Sequence, residues 1–541
     1  MNAFAAWNQT TQWGLLRWGG DSFSDWNWTN NWGNSGSDYC FWQDNEAGDG
    51  QAPVVAGAIG SGSYPTVPTA QALGQASLVT VPILGWVSSQ AVTNNVWSGS
   101  NPACPGTPSC SAGSANGYAM NVGNVDFASV DSGSTAFVAN NAVKGSAFCT
   151  GAAGSCAINQ TGPVYQDEFV NYVKSTWGSG GAPIFFMLDN EPNYWPGTHP
   201  ELWPGYTGTP GCGTDGTVTY ADIENDDITF ATAIKNADPQ AVVYGPVVAQ
   251  DGWIYARDYA QNGSPLFADD YLQHMAAASD TAGHPLLDVF DIHYYTTGNG
   301  QSTPAECLQV ARMFWDPNFT EWSPSETDQM DYGYSNTLFD TTLYPRQLVP
   351  RLLGMIANDY GGHTQAAPGL SFSEYNPGCE QQIEGGVAEA DLLGVFGREG
   401  VTAATAWPLQ TVANNGALVN YLVAAYDLYR NYDGSGSTVG DLAAYAQTSD
   451  VEDTSIYAFV HSDGSAAAEL VALNKESTPL TVSVSLANAP ALPTATAYQL
   501  VGGGSVGVAA AGSSPSLSCS GGSCTLTATL PATSATTIVL R

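Results

Sequence analysis

The sequence predicts an α/β chain: a (β/α)8 barrel over residues 1–432, followed by an antiparallel β-sandwich over residues 433–541. Three observations carry that expectation. Short apolar runs bounded by Gly or Pro alternate with helical patterns through most of the chain, as buried parallel strands and their covering helices do. Near residue 430 the composition shifts to Thr/Val/Ala/Ser alternation with Gly turns, the mark of short antiparallel strands. Finally, 541 residues, 43% of them hydrophobic and only 11% charged, suffice for one large barrel and a smaller module with a sizeable core.

In order, barrel strands are expected at Leu15–Gly20, Leu78–Trp86, Pro183–Asn190, Ala241–Pro246, Leu286–Tyr295, Gly369–Glu374 and Thr402–Pro408. Helical patterns fall at Asp167–Trp177, Tyr220–Asn236, Leu343–Tyr360 and Gly386–Phe396. These are seven strands where a closed barrel of this kind has eight. Asn2–Trp13 reads as a helix leading into the first of them, which would put the missing strand upstream of Met1. The stretch Ser88–Pro163, rich in Gly, Ser, Ala and Cys, reads as an irregular insertion tied by disulfides. Sandwich strands are expected at Thr454–His461, Ala467–Leu473, Leu480–Leu486, Thr494–Leu500, Thr525–Leu530 and Ala535–Leu540.

Charge narrows the function. Lys and Arg number 12 against 49 Asp and Glu, so the formal net charge is 12 − 49 = −37. Binding to a polyanion requires a basic footprint, so nucleic acid, anionic membranes and acidic polysaccharides are disfavoured as partners. No apolar run approaches the roughly 20 residues of a membrane span. The ten cysteines point to an oxidising compartment, hence to a secreted protein. Cys104/Cys110, Cys149/Cys156 and Cys519/Cys524 are spaced as short loop staples, while Cys40, Cys212, Cys307 and Cys379 leave three pairings open. A zinc site is disfavoured because no Cys-x-x-Cys occurs and the six His are scattered.

In such barrels the chemistry sits at the C-terminal ends of the strands. Those ends present Arg17-Trp18-Gly19-Gly20-Asp21, Gly85-Trp86, Asp189-Asn190-Glu191-Pro192, Gln250-Asp251-Gly252-Trp253, Asp291 to Tyr295, Ser373-Glu374-Tyr375-Asn376 and Trp407. Carboxylates, amides and aromatic rings together, without a phosphate loop or metal-ligand spacing, suit a neutral sugar. Glycoside hydrolysis needs one carboxylic acid to protonate the leaving oxygen and a second carboxylate to attack or to activate water. Glu191 leaves an apolar strand, where partial desolvation would favour the acid form. Glu374 closes another strand and is the second carboxylate.

Asn190 is placed to donate to a sugar hydroxyl. By period two, Asp291, His293 and Tyr295 share a strand face, so Tyr295 would orient the nucleophile and His293 would hold a hydroxyl. Arg17, one of so few basic residues, would keep a neighbouring carboxylate ionised. Trp407 is the expected stacking platform. Trp86, Trp195 and Trp253 are candidate cleft walls. Trp18, Trp26, Trp28, Trp32 and Trp42 crowd the first loops mainly as packing, with Trp18 kept among the substrate contacts.

These segments also resemble glycoside hydrolase family 44. The similarity rests on Leu188-Asp189-Asn190-Glu191-Pro192 with Trp195 and Thr198-His199-Pro200, and on Arg17–Gly20. It continues through Phe290–Tyr295 with Met313-Phe314-Trp315-Asp316-Pro317, Ser373–Asn376, Gly385–Thr405 and Tyr429–Gly434. The resemblance implies a retaining endo-β-1,4-glucanase with Glu191 as acid/base and Glu374 as nucleophile, and the chain is expected to be a monomer. It implies action on neutral β-glucans such as cellulose, mixed-linkage glucan or xyloglucan, sometimes extending to xylan or mannan. Asn190, Arg17, Tyr295 and Trp407 fit supporting roles in the wider clan. No cofactor is expected for catalysis. Members can carry a structural calcium, but no Asp/Glu-rich loop here is assignable to one. Asp21 stands where the family usually has Asn. The alternatives are a mannanase, a xylanase or an exo-β-glycosidase of the same clan, or a non-catalytic sugar-binding barrel.

Overall fold

A computed structural model describes residues 14–29, 32–34, 43–45, 66–88, 137–145, 162–199, 202, 218–250, 265–296, 303–319, 345–407, 413–414, 417–418, 421–465, 467–488, 494–503 and 506–541. The expected Asn2–Trp13 helix, Trp253, the Cys104/Cys110 and Cys149/Cys156 pairs and most of the 88–163 insertion lie outside them.

Seven parallel strands make the barrel sheet: β1 (Leu15–Trp18), β2 (Ala76–Val81), β3 (Ile184–Leu188), β4 (Val243–Ala249), β5 (Val289–Tyr295), β6 (Gly369–Asn376) and β7 (Ala403–Ala406). They pair in chain order, and β7 lies beside β1, so the sheet curls nearly shut. Every expected strand is present. Helices α1 (Thr66–Leu73), α2 (Gln166–Trp177), α3 (Tyr220–Ala237), α4 (Phe267–Ala282), α5 (Leu348–Asp359), α6 (Ile383–Glu399) and α7 (Tyr421–Arg430) accompany it. Of these α1, α4 and α7 add to the expected set. In α4 the buried stripe is Phe267, Ala268, Tyr271, Leu272, Met275 and Ala276, a face interrupted by small residues and therefore weak as a sequence signal. Local chemistry fixes the ends. Thr219 and Asp222 form a reciprocal capping box that starts α3, and left-handed Gly283 and Gly400 close α4 and α6.

The C-terminal strands are β8 (Leu442–Ala444), β9 (Thr454–Val460), β10 (Ala468–Asn474), β11 (Leu480–Ala487), β12 (Ala495–Val501), β13 (Val508–Ala510), β14 (Ser516–Ser520), β15 (Ser523–Leu530) and β16 (Ser534–Leu540). One antiparallel sheet runs β8-β9-β10-β16-β12-β13 and the other β11-β15-β14. Strict alternation along β15 buries Cys524, Leu526, Ala528 and Leu530 and exposes the residues between them. Leu470, Ala497, Leu526, Ile538 and Leu540 fill the space between the sheets.

The six-stranded sheet is covered on both faces. Its other side places Tyr457, Phe459, Val471, Leu473, Leu500 and Ala535 in one continuous core with the barrel helices. Hence every residue of β16 is buried, and Thr537 donates from its hydroxyl to the Leu428 carbonyl of α7 at 2.7 Å. At this junction a Cβ on Gly394 of α6 would sit 2.2 Å from the Tyr457 ring. Gly394→Ala is therefore expected to lower stability by about 1–3 kcal/mol despite its better helix propensity, as measured by denaturant midpoint. Two disulfides are described. Cys519–Cys524 staples the β14–β15 hairpin as its spacing suggests, and Cys307–Cys379, one of the pairings left open, ties the segment after β5 to the loop after β6.

Candidate active site

The barrel mouth is shaped by two breaks in strand regularity. Between β4 and β5, Pro246 faces Asp291 and Val248 faces Ile292, so Val247 bulges out with φ 59°. Its carbonyl accepts the backbone N–H of Glu191 at 3.0 Å. Between β5 and β6, Ile292 faces Phe372 but His293 faces Glu374, so Ser373 is the extra residue. Bulges of this kind re-aim side chains at barrel rims. Here they let Ser373 and Glu374, adjacent in sequence, both reach the inner groups.

Glu191 stands just after β3 in the left-handed region (φ 48°), with Pro192 opening a short 3-10 turn behind it. Its side chain keeps a modest exposure of 16%, and Oε1 lies 2.8 Å from His293 Nδ1. Glu374 is nearly buried. Arg17 Nη1 donates to its Oε1, and the Tyr295 hydroxyl donates to its Oε2. Arg17 is wholly buried and donates from Nη2 to Asn190 Oδ1 at 2.6 Å. Asn190 Nδ2 in turn donates to Asp21 Oδ1 at 2.7 Å. Arg-Trp-Gly-Gly has a steric reason: a Cβ on Gly19 would lie 2.7 Å from Arg17 Nη2, where the guanidinium folds back under the strand end.

The electrostatics follow from these contacts. Burial by itself would raise the Glu374 carboxyl, but His293, Arg17 and the Tyr295 hydrogen bond outweigh it, and the group is held below its ordinary value. Burial, reinforced by the charges of Glu374 and Glu191, pushes Tyr295 well above the usual phenol range, so it remains a donor. His293, fully buried, reaches Ser373 Oγ from Nε2 at 3.1 Å. Ser373 spends its hydroxyl proton on Asp291 Oδ2 and its N–H on Asp291 Oδ1. With the Ser373 hydroxyl spent on Asp291, His293 Nε2 is the donor to Ser373 Oγ, and Nδ1 faces Glu191 Oε1 at 2.8 Å and Glu374 Oε2 at 3.6 Å.

One carboxylate oxygen of Glu191, one of Glu374 and a His293 nitrogen all lie within 4.8 Å of one another. Such a trio can hold a cation by distance, yet Glu374 is already engaged by the Arg17 guanidinium, which would oppose a second positive charge. The arrangement suits proton transfer and nucleophilic attack.

Trp407 is half-buried at the end of β7, its ring reaching to within 4.0 Å of where a Cβ on Gly20 would stand. It remains the platform candidate at the mouth. Two tryptophans do not. Trp195 is fully buried, turned inward by the 192–194 turn, and its indole N–H donates to Asp189 Oδ1 at 3.1 Å. Trp18 alternates away from Arg17 on β1 and packs edge-to-face on Phe23 and Trp26. His293, expected to hold a sugar hydroxyl, is buried and instead touches Glu191, Glu374 and Ser373, while Arg17 pairs with a neighbouring carboxylate, Glu374, as expected of it. Sequence reasoning left out Ser373. The one available signal was its position before Glu374, and strict alternation would have sent it to the opposite face.

A parallel barrel with two glutamates facing each other at its C-terminal mouth defines the barrel glycoside hydrolases as a class. The model of glycoside hydrolase family 44 matches residues 24–298, and the chain belongs to that family. It is 33% identical over 335 residues to endoglucanase A of Paenibacillus lautus, covering 58% of this chain and 43% of that protein. It is 30% identical over 361 residues to a β-mannanase/endoglucanase A of Caldicellulosiruptor saccharolyticus, covering 62% of this chain and 25% of that protein. The chain thus spans less than half the length of these curated relatives. Among solved structures, a family 44 endoglucanase from Clostridium thermocellum is similar with TM-score 0.75 at 26% identity, over 98% of this chain and 94% of that one. A Paenibacillus polymyxa family 44 xyloglucanase solved with xyloglucan is similar with TM-score 0.75 at 26% identity, over 100% and 95%.

Proposed function

We propose that this chain is a secreted, retaining endo-β-1,4-glucanase acting on neutral β-glucans, cellulose-type, mixed-linkage or xyloglucan. The observation that carries the reading is that one carboxylate oxygen of Glu191 and one of Glu374 lie within 4.8 Å of each other, with His293 against both. Retaining pairs stand about 5–5.5 Å apart, whereas inverting pairs leave about 6.5–9.5 Å to seat a water. The relatives' names, endoglucanase, β-mannanase/endoglucanase and xyloglucanase, support a β-1,4-linked backbone as substrate. The disulfides support secretion.

Glu374, kept ionised by Arg17 and oriented by Tyr295, attacks the anomeric carbon. Glu191 gives its proton to the departing glycosidic oxygen, and the C–O bond breaks, leaving a glycosyl ester on Glu374. His293, held by Ser373 through Nε2, orients the Glu191 carboxyl from Nδ1 at 2.8 Å. Glu191, now a base, takes a proton from water, whose oxygen displaces Glu374 and restores both carboxyl groups with retained configuration.

Proton NMR of the first products from a soluble β-glucan tests this, with the β-anomer expected first; initial α-anomer would overturn the double displacement. A steep fall in viscosity before much reducing sugar appears is expected for internal cleavage, and immediate monosaccharide release would favour the exo reading. Glu191→Gln should lower turnover of polysaccharide by about 10²–10⁴-fold, the range for a general acid. The same variant should form the glycosyl-enzyme from a dinitrophenyl glycoside almost normally, because that leaving group needs no proton.

A further inference from the structure

The turn that carries Glu191 is strained on both sides of Asn190. Asp189 (φ 63°) and Glu191 (φ 48°) both lie in the left-handed region, which residues other than glycine enter only at a cost. Such backbone persists where its surroundings over-determine it. Glu191 has one hold of its own, its N–H on the Val247 carbonyl at 3.0 Å. The Asp189 side chain supplies the rest.

Asp189 is the first residue beyond β3 and is wholly buried. Its N–H donates to the Val81 carbonyl at the end of β2 at 3.0 Å. From there the carboxylate takes over from the backbone. Oδ2 accepts the N–H of Ile83 at 2.7 Å and that of Leu84 at 3.4 Å, in the segment after β2. Oδ1 accepts the Asn190 N–H at 2.8 Å and the Trp195 indole N–H at 3.1 Å. One side chain thereby ties the end of β2, the strained turn and the Trp195–Thr198 helix together. Burial raises the Asp189 carboxyl, and these donors with the Ser24 hydroxyl counter that rise. All four of these partners are N–H groups, so the position asks for two acceptor oxygens. An asparagine has the same shape but one oxygen, and its amide hydrogens would face one of the two donor pairs.

We propose that Asp189 is a positioning residue for the acid/base: through its four N–H partners it fixes the 189–191 turn and so places the Glu191 carboxyl at the glycosidic oxygen. The role rests on the glucanase reading of Glu191 given above. Asp189 touches no reacting atom, so its loss acts on placement, and it falls on the steps in which Glu191 gives or takes a proton.

The test compares the wild-type chain with Asp189→Asn on soluble β-glucan and on dinitrophenyl β-cellobioside, whose leaving group needs no acid. On glucan, kcat/KM is expected to fall about 10²-fold, the effect of a displacement of roughly 1 Å. On the dinitrophenyl substrate the first-turnover burst should keep its rate within about 3-fold, since no acid assists that step. The steady state that follows should slow, because the same carboxylate serves there as base, and azide should restore it and give the β-glycosyl azide. Trp195→Phe removes one of the four donors and should show the same pattern at about 3–10-fold; it decides the question if Asp189→Asn does not fold by circular dichroism. Equal losses on glucan and in the burst, or an unchanged rate on glucan, in a folded variant overturn the proposal, because a residue that only supports the fold does not discriminate between leaving groups. Wild type inactive on both substrates would instead sink the glucanase reading and this role with it.

Discussion

Glu374→Ala should reduce turnover of soluble β-glucan by roughly 10⁴–10⁶-fold, the span seen when a nucleophile or its essential partner is removed. The covalent step is lost outright, since neither Tyr295 nor Arg17 can substitute as attacking group. The diagnostic result is a rescue. Azide is small enough to enter the space vacated by the carboxylate. It should restore cleavage of an activated β-glycoside and yield the α-glycosyl azide. The corresponding Glu191→Ala variant should instead yield the β-azide, formed on the ester that Glu374 still makes. Exchange of these two product configurations would exchange the assigned roles, and an absence of rescue in both would remove the double displacement altogether.

Arg17→Gln is expected to have the second largest effect, on stability and on pH dependence together. Arg17 and Glu374 form a buried ion pair, and truncating one member of such a pair leaves the other charge uncompensated, at about 3–5 kcal/mol. The sign with pH follows from Glu374, whose carboxyl is held low in the native state. Its ionisation therefore stabilises the fold above the ordinary glutamate range and ceases to do so as pH falls through the lowered native value. The deficit of Arg17→Gln should be full at neutral pH and should shrink under acid, as urea midpoints across pH 3–7 would show. Without the guanidinium the Glu374 carboxyl rises, so the acidic limb of kcat/KM should move to higher pH. A limb that stays put would mean that Arg17 only supports the fold.

How much of this was legible beforehand differs from residue to residue. Glu191 and Glu374 were visible because a strand end is marked by its own composition, an apolar run that stops at a polar residue. Tyr295 was visible through period two. Ser373 was not, since its inward position comes from a bulge that exists only when β5 and β6 are paired. Trp195 and Trp18 were misjudged because sequence shows that an aromatic lies near a mouth but not which way a turn or a strand alternation points it. The six-stranded sheet poses the same problem on a larger scale. The sequence Ser534-Ala535-Thr536-Thr537-Ile538-Val539-Leu540 reads as an ordinary strand, and its burial on both faces depends on α6 and α7 lying against it.

From its sequence alone the chain was committed to a parallel barrel with a β-sandwich, and to two glutamates ending distant strands, because hydrophobic periodicity and strand-end chemistry are local properties. The tertiary structure decided that those glutamates approach within 4.8 Å, that His293 and Arg17 serve them, and that the sandwich shares the barrel's core. Such distances are set by pairing register, bulges and packing between residues hundreds of positions apart, and no window of sequence contains them.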